Sequence, residues 1–365
     1  MKILVFGGTG AMGIPLVKLL SESNDVWVTS RSNRESSGYV HYLKGNAHEP
    51  EFVHETLAMN HWDAIVDFMN RGYENFSKLV DSFLSATDQY VFISSARVYA
   101  ECKTKITEDS PRLLDVSTDK EFLSLKEYSL NKAKEENLLL HSGKTNFTIV
   151  RPSITYNYNR LQLGTLEKEG WLYRALHGRT IVFSNDLKDK LTTMTYGDDV
   201  SNGIATIIGR REAYGQTYHI TSPVSLTWGD VLNVYTGVLK QKYGRDFPVY
   251  FTDKSTCFNF PNEKYRLLYC RYFDRSFDTS KISQFMDTNS FVPPEIGLAD
   301  CLERFLEKPS FKGINWELEA INDKVTGEKT PLKQIPNFGS RLKYAAKRYN
   351  LRVLKLILKV YSKIK

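Results

Sequence analysis

At the start of the chain, apolar residues run together instead of alternating. Ile3, Leu4, Val5 and Phe6 follow Lys2 without a break. So short a run predicts a strand buried on both faces of a parallel sheet. Glycines at positions 7, 8, 10 and 13 come next, then Ile14-Pro-Leu-Val-Lys-Leu-Leu20, whose apolar positions suit a helix packed on that sheet. The rhythm then repeats. Strands are predicted over 25–31, 40–43, 64–68, 89–95 and 147–152, with helices over 74–84 and 127–140 between them. Regular alternation of the two element types predicts an α/β fold with a doubly wound parallel Rossmann-type sheet. Beyond residue 152 the pattern loosens: a helix is predicted near 171–176, another starting at 198, a strand over 217–220 and a helix over 228–240.

Strand, glycine turn and helix together make a phosphate-binding device. Glycines let backbone approach a pyrophosphate, and the free N–H groups and positive dipole of the helix start face it. Residues 1–154 are therefore expected to form a dinucleotide-binding domain, completed by about 191–224. Residues 155–190 and 225–334 would form a smaller interleaved substrate-binding lobe, and 335–365 a basic amphipathic tail.

Composition narrows this little. The chain has 365 residues, 41% hydrophobic and 25% charged, which is ordinary for a soluble globular protein. Its apolar runs are too short to span a bilayer, and the first strand begins at once, with no signal peptide expected ahead of it. Cys102, Cys257, Cys270 and Cys301 are widely separated with no metal-ligand spacing. That points to reduced thiols, a cytoplasmic setting and no metal site. The net charge of +7 is concentrated at one end. Residues 341–365 carry nine Lys or Arg and no acid, so the remainder holds 40 basic against 42 acidic residues.

Three residues could carry chemistry: Ser95, Tyr128 and Lys132. Tyr128 and Lys132 are four apart in a helical stretch and share a face. An ammonium beside a phenol favours the phenolate, which suits general acid–base work. Ser95, at the end of the fifth strand, could hydrogen-bond a substrate oxygen as charge develops there. The Y-x-x-x-K spacing also occurs at Tyr99/Lys103, Tyr250/Lys254 and Tyr361/Lys365. Position between the fifth and sixth strands is what singles out Tyr128/Lys132.

The combination resembles the extended short-chain dehydrogenase/reductase superfamily, in its NAD(P)-dependent epimerase/dehydratase branch of nucleotide-sugar enzymes. Gly7, Gly10 and Gly13 give the G-x-x-G-x-x-G spacing of that branch, and Ser94-Ser95-Ala96-Arg97-Val98-Tyr99-Ala100 resembles the S-S-A-T-V-Y-G segment of sugar-nucleotide 4-epimerases. Asp278-Thr-Ser-Lys281 and Phe291-Val-Pro-Pro resemble its later markers, so the likeness covers about residues 1–310. It implies that Ser95 and Tyr128 are catalytic and that Lys132 also anchors the nicotinamide ribose. Gly7, Thr9, Gly10, Met12 and Gly13 would hold the pyrophosphate. Asn46 and Ala47 would contact adenine, and Phe68 and Pro152 the nicotinamide side. The second strand ends in Thr29, Ser30, Arg31, Ser32 and Arg34 with no acid. Hydroxyl and guanidinium groups suit a 2′-phosphate, so NADP is expected ahead of NAD, with Ser30 and Arg31 as its contacts.

Departures from the family pattern matter too. Ala96 and Arg97 stand where sugar 4,6-dehydratases carry an Asp-Glu pair, which disfavours dehydration. Residues 192–196 lack the Arg that many epimerases use for the substrate diphosphate, leaving Arg160, Arg174 and Lys190 as replacements. The expected function is thus an NADP(H)-dependent epimerase or reductase on a nucleotide-linked sugar, serving polysaccharide or glycan precursor synthesis, with a homodimer as the family's habit. The alternative is a non-catalytic NADP-binding or RNA- or partner-binding member. In the tail, Leu351, Leu354, Leu358 and Tyr361 share one helical face and Arg352, Lys355, Lys359 and Lys363 another. This pattern suits an anionic membrane surface, a packing or subunit contact, or nucleic acid, in that order.

Overall fold

The computed structural model describes residues 1–255 and 263–350. Cys257 and the amphipathic positions 351–365 lie outside the described residues. The chain divides into two compact units, each assembled from three segments. The first takes Met1–Asn159, Leu191–Leu226 and Phe273–Gly297; the second takes Arg160–Lys190, Thr227–Tyr272 and Leu298–Lys365. Residues 273–297, grouped with the 225–334 lobe from sequence, thus fall in the first unit.

The first unit is built on β1 (Lys2–Phe6), β2 (Asp25–Ser30), β3 (Val40–Lys44), β4 (Ala64–Asp67), β5 (Tyr90–Ile93) and β6 (Phe147–Pro152). With the strand Gln216–Ile220 they form one seven-stranded sheet, ordered Gln216–Ile220, β6, β5, β4, β1, β2, β3. Every pairing is parallel; Ile3, for example, lies level with Val26 on one side and Ala64 on the other. Strand order runs outward from β1 in both directions, which opens a crevice at the carboxyl ends of β1 and β4.

The unbroken apolar run of β1 is explained by its two covered faces. Ile3 and Val5 join a cluster with Val28, Leu16 and Ile204. Leu4 and Phe6 join the opposite one with Val53, Phe83 and Tyr90. Helix α1 (Gly13–Leu20) buries Leu16, Val17 and Leu20. Helix α2 (Pro50–Ala58) was not anticipated, although Pro50 at its start and the buried Val53 and Leu57, one turn apart, are ordinary helix signals. The single helix expected over 74–84 is instead two, Tyr73–Phe76 and Val80–Ser85. A tight turn from the Leu79 amide to the Phe76 carbonyl separates them, and both Phe76 and Phe83 reach the core.

In the second unit, Ile181–Ser184 pairs in parallel with Val249–Thr252. Trp228–Tyr243 begins with a Thr227/Asp230 capping box and ends at Gly244 in the left-handed conformation. The boundary expected at 336–339 is a helix start: Asn337 caps Phe338–Arg348 through the Ser340 amide. That helix is fixed to Trp316–Thr326 by Tyr344, whose hydroxyl donates to Asp323 at 2.7 Å. Arg174 is fully buried against Glu319, Asp323 and Glu328. It is committed to this layer and is not a replacement for the missing diphosphate arginine. Among the described residues no helix is long and apolar enough to cross a membrane.

Candidate active site

The glycine turn after β1 shows why each glycine is there. Gly7 has φ +73°, and a Cβ on it would press on Met69 and Phe68. A Cβ on Gly8 would lie 2.9 Å from the Val5 and Val28 side chains, and one on Gly13 would lie 2.6 Å from Gly8 backbone. These two contacts draw the turn onto the sheet and the first turn of α1. Gly10 differs, because its nearest neighbour would be the Gly7 carbonyl at 3.9 Å. The turn is therefore tight at its base and open at its tip, a shape that fits a pyrophosphate over the start of α1. Gly8 was not among the expected site residues; its role is packing. Thr29 accepts from the Gly7 amide at 3.3 Å, and Ser201 donates to the Met12 carbonyl at 2.7 Å, fixing both ends of the loop.

At the end of β2, Ser30 is buried and donates to the Ser32 carbonyl at 2.9 Å. Arg31 and Arg34 are exposed, and the Arg34 guanidinium lies 5.6 Å from the Tyr42 ring centre. No carboxylate occupies residues 29–34. Asn46 makes local bonds, donating to Glu49 at 2.9 Å and accepting from the His48 amide at 3.2 Å. The Ala47 side chain is buried in the core, and its carbonyl accepts from Arg71. Phe68 and Met69, after β4, flank Gly7, and Pro152 ends β6 level with Ile220.

Ser95 and Tyr128 both contact Arg97, the first through its backbone and the second through its side chain. The Ser95 hydroxyl accepts from the Arg97 amide at 3.2 Å, capping a short 3-10 turn over Ala96–Val98. The Arg97 guanidinium in turn lies 5.0 Å from the centre of the Tyr128 ring. Having accepted one hydrogen bond, Ser95 keeps its own proton to donate. Tyr128 opens the helix Tyr128–Leu140, whose first turn is capped by Glu127 accepting from the Ser129 amide at 2.5 Å. Arg97 pairs with the same Glu127 carboxylate, so cap and turn are tied to each other.

Lys132, one turn further, is buried. Its ammonium lies 3.1 Å from Glu135, 3.4 Å from the Met69 carbonyl and 4.4 Å from the Phe92 ring centre. Burial pushes the Glu135 carboxyl above its ordinary range, with Lys132 opposing. Under the same floor, Asp67 accepts from Arg71 Nε at 2.7 Å and the Tyr90 hydroxyl at 2.8 Å. Burial works against the Arg71 charge, yet Asp67 outweighs it and the guanidinium is held above its usual range.

A second buried network sets the angle of the helix. Glu136 accepts from Ser94 at 2.5 Å and from Arg151 at 2.8 and 2.7 Å. Arg151 also donates to the Tyr99 hydroxyl at 2.6 Å, and Tyr99 contacts His219. Burial pushes the His219 imidazole down to about 3, so it is neutral. Ser94 precedes Ser95, Arg151 lies on β6 and Glu136 lies two turns beyond Tyr128. One carboxylate thus ties three elements that carry the site. Neither Glu135 nor Glu136 was anticipated, although Tyr128, Lys132 and Glu136 repeat every four residues, which places them along one helical face.

A model of the NAD dependent epimerase/dehydratase family matches residues 3–221. A curated relative, the chloroplast stem-loop binding protein of 41 kDa b from Arabidopsis thaliana, is 24% identical over 244 residues, covering 62% of this chain. The matched region spans 60% of that relative's length. Among solved structures, UDP-glucuronic acid 4-epimerase from Bacillus cereus in complex with NAD is similar at TM-score 0.61 and 15% identity, covering 85% of this chain and 99% of that one. The dTDP-glucose 4,6-dehydratase of Bacillus anthracis in complex with NAD is similar at TM-score 0.61 and 17% identity, over 84% and 97% of the two chains. At such identities the solved structures speak for the fold.

Proposed function

The chain belongs to the NAD dependent epimerase/dehydratase family, and from that membership we propose that it is an NADP(H)-dependent epimerase or reductase acting on a nucleotide-linked sugar. The observation that supports the reading is that Ser95 and Tyr128 each contact Arg97, with Lys132 one turn along the helix that Tyr128 opens. A protein that only binds needs no such set of proton donor, phenol and buried ammonium.

Gly7, Thr9, Gly10, Met12 and Gly13 would hold the dinucleotide pyrophosphate. Ser30 and Arg31 would hold the 2′-phosphate, Asn46 and Ala47 the adenine, and Phe68, Lys132 and Pro152 the nicotinamide end. When bound, the dinucleotide supplies hydride acceptance and return. The chain's own residues handle the proton and the oxygen. Tyr128 takes the proton from a sugar hydroxyl, and Ser95 donates a hydrogen bond to that same oxygen as it gains carbonyl character. Lys132 stands one turn after the phenol on the same helix, paired with Glu135. The relatives crystallised with NAD make NAD the competing cofactor. The arginine-bearing, acid-free end of β2 supports NADP. A homodimer, a cytoplasmic location with contact to an anionic membrane face, and service to glycan precursor synthesis complete this reading.

Two measurements test it. Mass spectrometry of the purified protein identifies any dinucleotide it carries. Incubation with UDP- and dTDP-sugars, followed by product detection, reads turnover; Tyr128→Phe is expected to lower it at least ~100-fold with dinucleotide binding retained. Unchanged turnover in Tyr128→Phe would end the proposal.

The stem-loop binding relative favours a second reading, an RNA-binding member of the fold using the nine basic residues of 341–365. Salt-sensitive binding of a stem-loop RNA, lost on deleting those residues and indifferent to Tyr128→Phe, would establish it.

A further inference from the structure

Arg97 departs from the family pattern beside the candidate phenol. Where sugar dehydratases carry an acid, this chain puts a guanidinium directly over the reactive phenol, 5.0 Å from its ring centre. Its backbone amide donates to the Ser95 hydroxyl at 3.2 Å, so the residue that carries the cation also touches the candidate oxygen-binding serine. Glu127 takes only part of its hydrogen-bonding capacity. The Glu127 pair engages Nη2, and the other carboxylate oxygen of Glu127 is used by Ser129. Arg97 Nε is buried with no hydrogen-bond partner, and Nη1 has none among the described residues. The side chain is 22% exposed, so a ligand can reach it. An orphaned Nε also occurs at Arg179; what sets Arg97 apart is its place against the Tyr128 ring together with its partial exposure.

We propose that Arg97 is a specificity-determining residue that pairs with a carboxylate on the substrate carbon next to the reacting hydroxyl, so that the preferred sugar is a hexuronic acid. The inference rests on the sugar-oxidising reading of Ser95 and Tyr128. A guanidinium matches a carboxylate through charge-assisted hydrogen bonds. It sits beside the atoms that handle the reacting oxygen, so the recognised anion must be close to that oxygen. A neutral hydroxymethyl sugar would leave Arg97 unmatched when water is expelled.

The test uses full-length protein loaded with reduced dinucleotide, titrated with UDP-glucuronic acid, UDP-glucose, free D-glucuronate, free D-glucose and UDP. Wild type is expected to favour each uronate over its neutral counterpart by at least tenfold. Arg97→Gln should abolish that preference, and Arg97→Lys should keep part of it. UDP affinity should stay near wild type in both variants, and the melting temperature should do so in Arg97→Lys, which keeps a cation for Glu127. Equal or absent binding of uronate and neutral sugars, or a preference that survives Arg97→Gln, overturns the proposal. A retained preference between the free sugars without any UDP binding would support Arg97's role and retire the nucleotide-linked substrate instead.

Discussion

The Lys132 ammonium and the Glu135 carboxylate face each other at 3.1 Å, both essentially removed from solvent, one turn into the helix that Tyr128 opens. Removing one member of a buried pair strands the other charge, whereas removing both is far less damaging. Glu135→Leu and Lys132→Met should each destabilise the fold by about 3 kcal/mol. The double variant should recover much of that loss, which urea denaturation in a double-mutant cycle will show. Additive losses would mean that the pair is not coupled.

The glycine turn predicts two different failures. Gly13→Ala forces a methyl into Gly8 backbone, so a lower melting temperature and loss of dinucleotide binding are expected together. Gly10→Ala meets open space. Its melting temperature should be near wild type while dinucleotide affinity drops, because the methyl occupies the opening expected to take the pyrophosphate.

Cofactor choice is addressed at the end of β2. Substituting Arg31 and Arg34 by Ala removes the cations from an acid-free loop. NADPH affinity should fall about ten- to a hundredfold with NADH affinity nearly unchanged, since hydrogen bonds to charged groups are worth roughly 1.5–3 kcal/mol. Equal effects on the two dinucleotides would place the arginines outside the binding site.

Asp199 gives a pH dependence with a definite sign. Burial pushes its carboxyl up to about 6, with the Val292 amide opposing and Asp198 adding to the rise. Between its ordinary value near 3.8 and about 6, the folded protein binds more protons at this site than the unfolded chain. Its contribution to stability therefore falls as pH rises through that window. Asp199→Asn should remove the dependence and gain stability over wild type between pH 4 and 7, by no more than about 3 kcal/mol. Unfolding measured at pH 4, 5.5 and 7 checks this. The buried His219 acts oppositely: pushed down to about 3, it favours the fold above its ordinary value, a gain lost as pH falls toward 3.

Much of the architecture was legible because it follows from local patterning. The continuous apolar strands, the glycine spacing and the Tyr128/Lys132 periodicity are properties of short windows, and each predicted strand of the main sheet is present within a few residues. The elements misread from sequence were those where the chain bends to suit its neighbours. At 74–84 the chain turns at the buried Leu79, so one expected helix is two; Phe76 and Phe83, seven apart, share a face in either case. Asn337 starting a packed helix, where a boundary was expected, is the same kind of case.

The chain alone determined the sheet and the glycine turn, and it nominated Ser95, Tyr128 and Lys132, because these readings depend on side chains a few positions apart. Only the tertiary structure decided what surrounds them. It committed Arg174 to a buried acidic cluster, paired Lys132 with Glu135, made Glu136 the tie between Ser94 and Arg151, and laid Arg97 across Tyr128. Those pairings join residues up to about 150 positions apart. Which buried charge meets which partner is fixed by packing and by the cost of leaving either unmatched, and no spacing rule along the chain records it.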